Sequence, residues 1–331
     1  MQSIARMLSP SSFLRLLLQR GQLRRSAATI VNGTAMAARV KDDLRLLVSS
    51  ARTRHGGVPP GLAMILVGSR GDSVRYVENK RRACHDVGIY SVIADYPSTV
   101  TAEELAGRIQ ALNSDASIHG ILVQLPLPPH LDEHVIINGI DPSKDVDGLT
   151  AINIARLTFR KIAPPKTHET SSFMSTDFHV SCTAQGCIEI IDKIGVPIEG
   201  ARALVLGRSN IVGLPTALLL MQRNATVTIA HSRSEDMASL VGEADIVVVA
   251  IGRPEFLRGS WLKPGAVVVD VGINLSAPTE GGPPRLLGDA HFTSCREAAS
   301  FITPAPGGVG PMTIAMLLRN TVNSYLRSLL R

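Results

Sequence analysis

The sequence predicts an α/β protein of two lobes. Three observations carry this. Short apolar runs alternate with segments of helical period along nearly the whole chain. The run Ala203–Leu206 passes through a glycine turn straight into a helix. At 331 residues the chain exceeds one ordinary domain.

Composition narrows the class. Apolar residues make up 45% and charged residues 19%, with 28 glycines, as in a globular α/β chain. The net charge of +6 is concentrated in one place. Arg6, Arg15, Arg20, Arg24 and Arg25 lie within the first 30 residues, which hold no acid and no lysine, so the remainder carries about +1. A nearly neutral body removes the case for a nucleic-acid partner. No apolar run approaches the ~18 residues of a membrane span. The Arg-rich, Ser-containing, acid-free leader (1–29) reads as a mitochondrial transit peptide, removed near Arg24-Arg25-Ser26, which predicts a matrix location. A secretory signal fits worse, because Arg15 interrupts Phe13–Leu18. Cys84, Cys182, Cys187 and Cys295 are scattered, with no C-x-x-C and no histidine pair nearby. They read as reduced thiols, and no metal site is predicted.

In chain order, Ala35–Ser50 places Val40, Leu44 and Leu47 at helical spacing, and Leu62–Val67 is a strand closed by Gly68. From Asp72 to Val87 runs an amphipathic helix with Val77, Cys84 and Val87 on its apolar face. Tyr76 and Lys80, four apart, share one side of it. Tyr90–Ala94 is a strand, and Thr101-Ala-Glu-Glu104 is a capping box opening a helix to about Leu112. Gly120–Gln124 is a third strand, ended by Leu-Pro-Leu-Pro-Pro129, with a helix at Val135–Ile140. Such a rhythm gives a parallel sheet with right-handed crossovers, whose ligands bind beyond the strands' carboxyl ends. Gln124 and the Lys144–Gly148 loop belong there.

Arg160–Phe178 is polar, holds Pro164-Pro165 and has no period, which reads as a loop or insertion. A second series follows: a helix near Ala184–Ile194, strand 203–206 with its helix Gly213–Leu220, strands Thr226–Ala230, Ile246–Ala250 and Ala266–Asp270, and a helix at Glu235–Ala244. Phe301–Pro311 reads as a rigid Pro/Gly loop opening a last helix, Met312–Leu329, with Ile314, Leu318, Thr321, Tyr325 and Leu329 on one stripe.

The turn Gly207-x-Ser209-x-x-x-Gly213 joins a strand to a helix N-terminus, where unpaired N–H groups and the helix dipole suit a phosphate. On its own it differs from G-x-G-x-x-G, and an ordinary β–α turn explains it equally well.

Five motifs then occur in order: Tyr76-x-x-x-Lys80, Val123-Gln-Leu-Pro-Leu127, Lys144-Asp-Val-Asp-Gly148, Gly207-Arg-Ser-x-x-Val-Gly-x-Pro215 and Pro306-Gly-Gly-Val-Gly-Pro-Met-Thr313. With them the chain closely resembles, from about Ile30 to its C-terminus, the bifunctional methylenetetrahydrofolate dehydrogenase/methenyltetrahydrofolate cyclohydrolase family. The resemblance implies a three-layer folate lobe (30–160 plus 302–331), a Rossmann lobe (179–301), residues 161–178 as an insertion, and a cleft between the lobes. It also implies a homodimer formed through the second lobe, with the last helix returning to the first. The implied chemistry is hydride loss from 5,10-methylenetetrahydrofolate to NADP, then hydrolysis to 10-formyltetrahydrofolate.

By the same resemblance Lys80 activates water and shuttles protons. A lysine does so only where burial or a neighbouring cation depresses its ordinary pKa of about 10.4. Gln124 would orient Lys80, Tyr76 would stack on the substrate's aminobenzoate ring, and Asp147 would grip the pterin with a carboxylate suited to paired N–H donors. Asp145 would support the loop. Val123, Leu125, Pro306, Gly307, Gly308, Val309 and Gly310 would line the folate site. Gly207, Arg208, Ser209, Ser232, Ile273, Cys182 and Thr183 would face NADP, with Arg208 pairing the 2′-phosphate. No acid stands at the end of Thr226–Ala230 to hold a free 2′-hydroxyl, which disfavours NAD. The chain departs from the family at Ser181-Cys-Thr-Ala184, where Pro-Cys-Thr-Pro is common, and in the length of 160–178. Another dehydrogenation is the alternative, but neither His231 nor His291 has a visible carboxylate partner. A non-catalytic binder is the third reading, and no catalytic residue is missing to suggest it.

Overall fold

The computed structural model describes residues 27–54, 56–159, 162, 177–276 and 285–330. Residues 1–26 of the predicted leader and most of the 160–178 segment lie outside the described residues, whereas Ala28 is buried and Thr29 opens a strand, so the last residues assigned to the leader belong to the fold.

The first half builds a three-stranded parallel sheet in the order β3-β2-β4, from β2 (Gly61–Val67), β3 (Tyr90–Tyr96) and β4 (Gly120–Val123). All seven residues of β2 are buried, as a central parallel strand requires. Its alternation then sorts two faces. Leu62, Met64 and Leu66 pack with Val40 and Leu44 of α1 (Gly33–Arg54) and with Val77, Cys84 and Val87 of α2 (Gly71–Val87). Ala63, Ile65 and Val67 pack with Leu105, Ile109 and Leu112 of α3 (Ala102–Ser114) and Ile136 of α4 (Glu133–Asn138). The result is helix–sheet–helix. The predicted capping box forms, with Thr101 Oγ1 accepting from Glu104 N and the Glu104 carboxylate accepting from Thr101 N. Helix α4 starts before the predicted Val135, because Asp132 accepts the N–H groups of His134 and Val135.

The second half builds a six-stranded parallel sheet ordered β1-β11-β8-β7-β5-β6. Its strands are β1 (Thr29–Ile30), β5 (Arg202–Leu206), β6 (Thr226–Ala230), β7 (Ile246–Val249), β8 (Val267–Asp270) and β11 (Phe301–Ile302). After β6 the chain crosses to the other side of β5, so the switch point lies between β5 and β7. Helices α6 (Cys182–Lys193), α7 (Gly213–Gln222) and α8 (Met237–Glu243) follow the predicted order. A hairpin of β9 (Asn274–Leu275) and β10 (Leu286–Leu287) adds a small antiparallel pair.

Among the described residues β1, the β9–β10 hairpin, α5 (Ala151–Phe159), a 3-10 turn at Gly259–Trp261 and α9 (Phe292–Ala298) went unpredicted. Two-residue strands leave no period to read, and α5 buries only Asn153 and Leu157. The segment read as a 301–311 loop is corrected at both ends. Phe301 and Ile302 pair with β8 and β1, and α10 (Val309–Ser328) begins three residues before the predicted Met312. Pro311 fits there, since the N–H groups of a helix's first turn have no partner within the helix. The predicted stripe on α10 is also too narrow. Burial runs from Met312 round to Tyr325, because the helix lies between α1 and α6 and is wrapped on both sides. One core therefore joins Leu62 and Met64 of the first sheet to Ala203 and Val205 of the second.

Candidate active site

Helix α2 delivers Tyr76 and Lys80 one turn apart. Lys80 is buried, and its Nζ donates to Gln124 Oε1 at 2.9 Å. Gln124 follows directly on β4, fixed by its own N–H to the Ile65 carbonyl (2.9 Å). Its Nε2 donates to the Leu125 carbonyl at 2.8 Å, which turns Oε1 toward the lysine. Val123 is buried at the strand end and Leu125 is half-buried. The structure thus brings together two residues 44 positions apart.

Asp147 joins them from the 144–148 loop. Burial, the larger influence, pushes its carboxyl above the usual carboxylate range, while the nearby Lys80 ammonium pulls it back down. Asp145 faces inward instead, its carboxylate accepting the N–H groups of Leu149 (3.2 Å) and Thr150 (2.8 Å) and the Asn153 amide (2.9 Å). The loop has a second anchor that the sequence did not disclose. Asn320, on α10, donates to the Val146 carbonyl at 2.8 Å and the Val180 carbonyl at 3.1 Å. Cys182 Sγ also donates to Val146 O, at 3.2 Å. Burial and Asp147 together raise the Cys182 thiol well above its ordinary pKa, so it stays a neutral donor. Thr183, the next residue, faces Thr313 of α10 (3.3 Å).

Beside this group opens a cleft of about 600 Å³ between α1, α2 and the loops beyond β8 and β11. Tyr76, Gly272, Ile273 and the whole run Pro306–Gly310 lie on its walls. Half-burial raises the Tyr76 hydroxyl's pKa, keeping the phenol neutral. A Cβ built on Gly310 would lie 3.8 Å from Ile273 Cδ1, so the predicted folate-side loop and the predicted cofactor-side residue meet. Lys80, Gln124 and Asp147 are not wall residues of this cavity, nor are Arg208, Ser209, Ser232, Cys182 and Thr183. Thr34, Asn79 and Asp270 line it without having been singled out. Asp270 had a readable signal: it ends a parallel strand, where such sheets hold their ligands. Its buried carboxyl is pushed up to about 6 by desolvation, against the pull of the Ala290, Asp289 and Gly272 N–H groups.

The turn after β5 sits at the switch point. Gly207 has φ +111°, and a Cβ there would fall 2.1 Å from the Ala250 carbonyl oxygen of the neighbouring strand's end. Only glycine closes this turn. Ser209 Oγ accepts the N–H groups of Val212 (3.2 Å) and Gly213 (3.3 Å) at the start of α7. Arg208 and Ser232 are exposed. A glycine turn between a strand and a helix, a cation beside it and no acid at the end of β6 fit a phosphorylated dinucleotide. Among the described residues no group of three or more His, Cys, Asp or Glu side chains converges as a metal site would require. No helix there is long and apolar enough to cross a membrane.

Comparisons with known proteins agree with this geometry. The family model described as the tetrahydrofolate dehydrogenase/cyclohydrolase catalytic domain matches residues 31–147, and that for the family's NAD(P)-binding domain matches 181–329. The chain is 46% identical over 301 residues to bifunctional protein FolD 4, chloroplastic, of Arabidopsis thaliana, covering 91% of this chain and 80% of that one. It is 45% identical over 300 residues to bifunctional protein FolD of Moorella thermoacetica, covering 91% and 99%. Among solved structures it resembles the Trypanosoma brucei methylenetetrahydrofolate dehydrogenase-cyclohydrolase complexed with NADP and an inhibitor. That match has a TM-score of 0.85 and 39% identity, covering 92% of this chain and all of the other.

Proposed function

The chain belongs to the tetrahydrofolate dehydrogenase/cyclohydrolase family, and from that premise we propose how its own residues carry out the two reactions. It oxidises 5,10-methylenetetrahydrofolate to the methenyl form with NADP and hydrolyses that product to 10-formyltetrahydrofolate. One observation carries the assignment of roles. Lys80 is buried, bonded to Gln124 at 2.9 Å and close to the Asp147 charge, one helical turn from Tyr76 on the cleft wall.

Bound NADP supplies the hydride acceptor. The protein's part in that step is placement, since the substrate's nitrogen lone pairs drive hydride loss. Tyr76 stacks on the aminobenzoate ring, Asp147 accepts the pterin's N–H edge, and Pro306–Gly310 covers the folate with backbone. Ile273 borders the same cleft from the cofactor side. For hydrolysis, Lys80 directs water onto the methenyl carbon and moves the proton, and the Gln124 amide holds its Nζ on that line. Gly207 and Ser209 receive the phosphates, and Arg208 with Ser232 takes the 2′-phosphate.

Three coarser assignments go with this reading. The folate lobe comprises 30–160 with 302–331 and the Rossmann lobe 179–301, except that Thr29–Ile30 and Phe301–Ile302 pair into the sheet of the second lobe. The chain pairs with a second copy through that lobe, which the edge position of β6 and its exposed Ile229 support. Residues 1–29 direct it to the mitochondrial matrix. The functional test is an assay with methylenetetrahydrofolate and NADP, following reduction and methenyl hydrolysis separately. Absence of both activities from folded protein overturns the proposal. A fluorescent fusion of residues 1–30 that stays cytosolic overturns the address.

A further inference from the structure

We infer that Asp289 is a positioning residue of the cofactor site, a strut that sets the spacing between the loop after β7 and the loop after β8. The inference rests on the NADP reading above. Asp289 is fully buried and lies in none of the five motifs. Its Oδ2 accepts the N–H groups of Ile251 (2.7 Å) and Gly252 (2.9 Å), which follow β7 at the switch point. Its Oδ1 accepts from Asn274 Nδ2 at 2.8 Å, the residue after Ile273. Its own N–H donates to Asp270 Oδ1 at 2.9 Å. One carboxylate thus binds three donors drawn from two loops.

Each loop leads to a group that faces the dinucleotide. A Cβ on Gly207 would lie 3.6 Å from Ile251 Cγ2, so the β7 loop backs the phosphate turn. Gly272 and Ile273 line the cleft, and a Cβ on Gly272 would fall 2.3 Å from Asp289 Oδ1, so the carboxylate also seats that backbone. An ionised carboxylate accepts with both oxygens, which an amide cannot do. With Asp289→Asn, the new –NH2 must face either two N–H donors or the Asn274 amide. The spacing between phosphate turn and Ile273 then loosens, while Lys80, Gln124 and Asp147 stand on other elements.

The two reactions separate this role from plain structural support, because hydrolysis of the methenyl substrate uses no dinucleotide. Titration calorimetry with NADP on Asp289→Asn should show Kd raised about 10-fold or more. The dehydrogenase KM for NADP should rise in step, and hydrolysis assayed without NADP should stay within about two-fold of the unsubstituted protein. Asn274→Ala, which removes one donor at a half-buried position, should raise Kd less, by about 2–5-fold, and decides the matter if Asp289→Asn does not fold. NADP affinity unchanged in a folded variant overturns the inference. So does hydrolysis falling in parallel with NADP affinity. Failure of the unsubstituted protein in both reactions would count against the function, not against this strut.

Discussion

The two sides of the cleft are built on opposite terms. On the folate side the chemical groups already have partners: Lys80 with Gln124, Asp147 beside Lys80, and the Val146 carbonyl held by Asn320 and Cys182. On the cofactor side a glycine turn carries an exposed Arg208, with an exposed Ser232 beyond the next strand. A proton-moving lysine must be held at one position and angle, so the fold supplies its neighbours in advance. A phosphate brings its own charge and acceptors, so the protein need supply only donors and space. Substitutions on the first side should therefore damage folate binding or chemistry, and those on the second should damage cofactor selection.

The largest effect is expected at Lys80. Lys80→Met keeps the length of the side chain and removes the proton carrier, so hydrolysis should fall by about 10³-fold or more. The dehydrogenase should fall less, because its step depends on placement. Separate rate measurements with methylene and methenyl substrates check this. Equal losses in both would mean that Lys80 binds rather than moves a proton.

Asp147→Asn comes next. An amide presents a single acceptor oxygen where the carboxylate offers two, so KM for both folate substrates should rise by about 10–100-fold with KM for NADP steady. On the opposite side, Arg208→Ala should raise KM for NADP by about 10-fold and leave KM for NAD nearly unchanged. If both cofactors suffer alike, the arginine serves the turn's shape and does not read the 2′-phosphate.

The same contrast explains what could be read from the sequence. Tyr76 and Lys80 are legible because four residues of helix put them on one side. The parallel sheets are legible because buried strands such as Gly61–Val67 are continuous apolar runs. The Lys80–Gln124 contact follows from no local rule, and only the family resemblance implies it. Asn320 holds a carbonyl 174 positions away, and Asp289 bonds Ile251 from 38 away; nothing in either residue's neighbourhood announces a partner. Likewise β1 and β11 are two residues each: β11 forms because β8 offers an edge, and β1 because β11 then offers the next. Local pattern fixes elements, whereas long-range hydrogen bonds fix the site.

The smallest effect concerns how the two sides are held together, and it is a matter of pH. His179 lies buried between the 143–148 loop and α10, its Nε2 2.6 Å from Arg327 NH2, 2.7 Å from Ser324 Oγ and 3.1 Å from the Ser143 carbonyl. Burial first, and the Arg327 cation second, push its pKa down to about 3, so the native ring is neutral. An unfolded chain protonates the same ring near the ordinary value of about 6.5. Between these values the unfolded state binds the extra proton, so this histidine's contribution is present above about pH 6.5 and is lost as pH falls toward 3. His179→Gln keeps a polar side chain and cannot titrate. Urea midpoints taken from pH 7.5 to 4.5 should fall more steeply for the unsubstituted protein than for the variant, since at most about 1.4 kcal/mol per pH unit comes from one group. Parallel curves would show that the ring is not a neutral strut between the loop and the last helix. The acid sensitivity would then belong to other buried groups, such as His119, whose pKa burial also lowers.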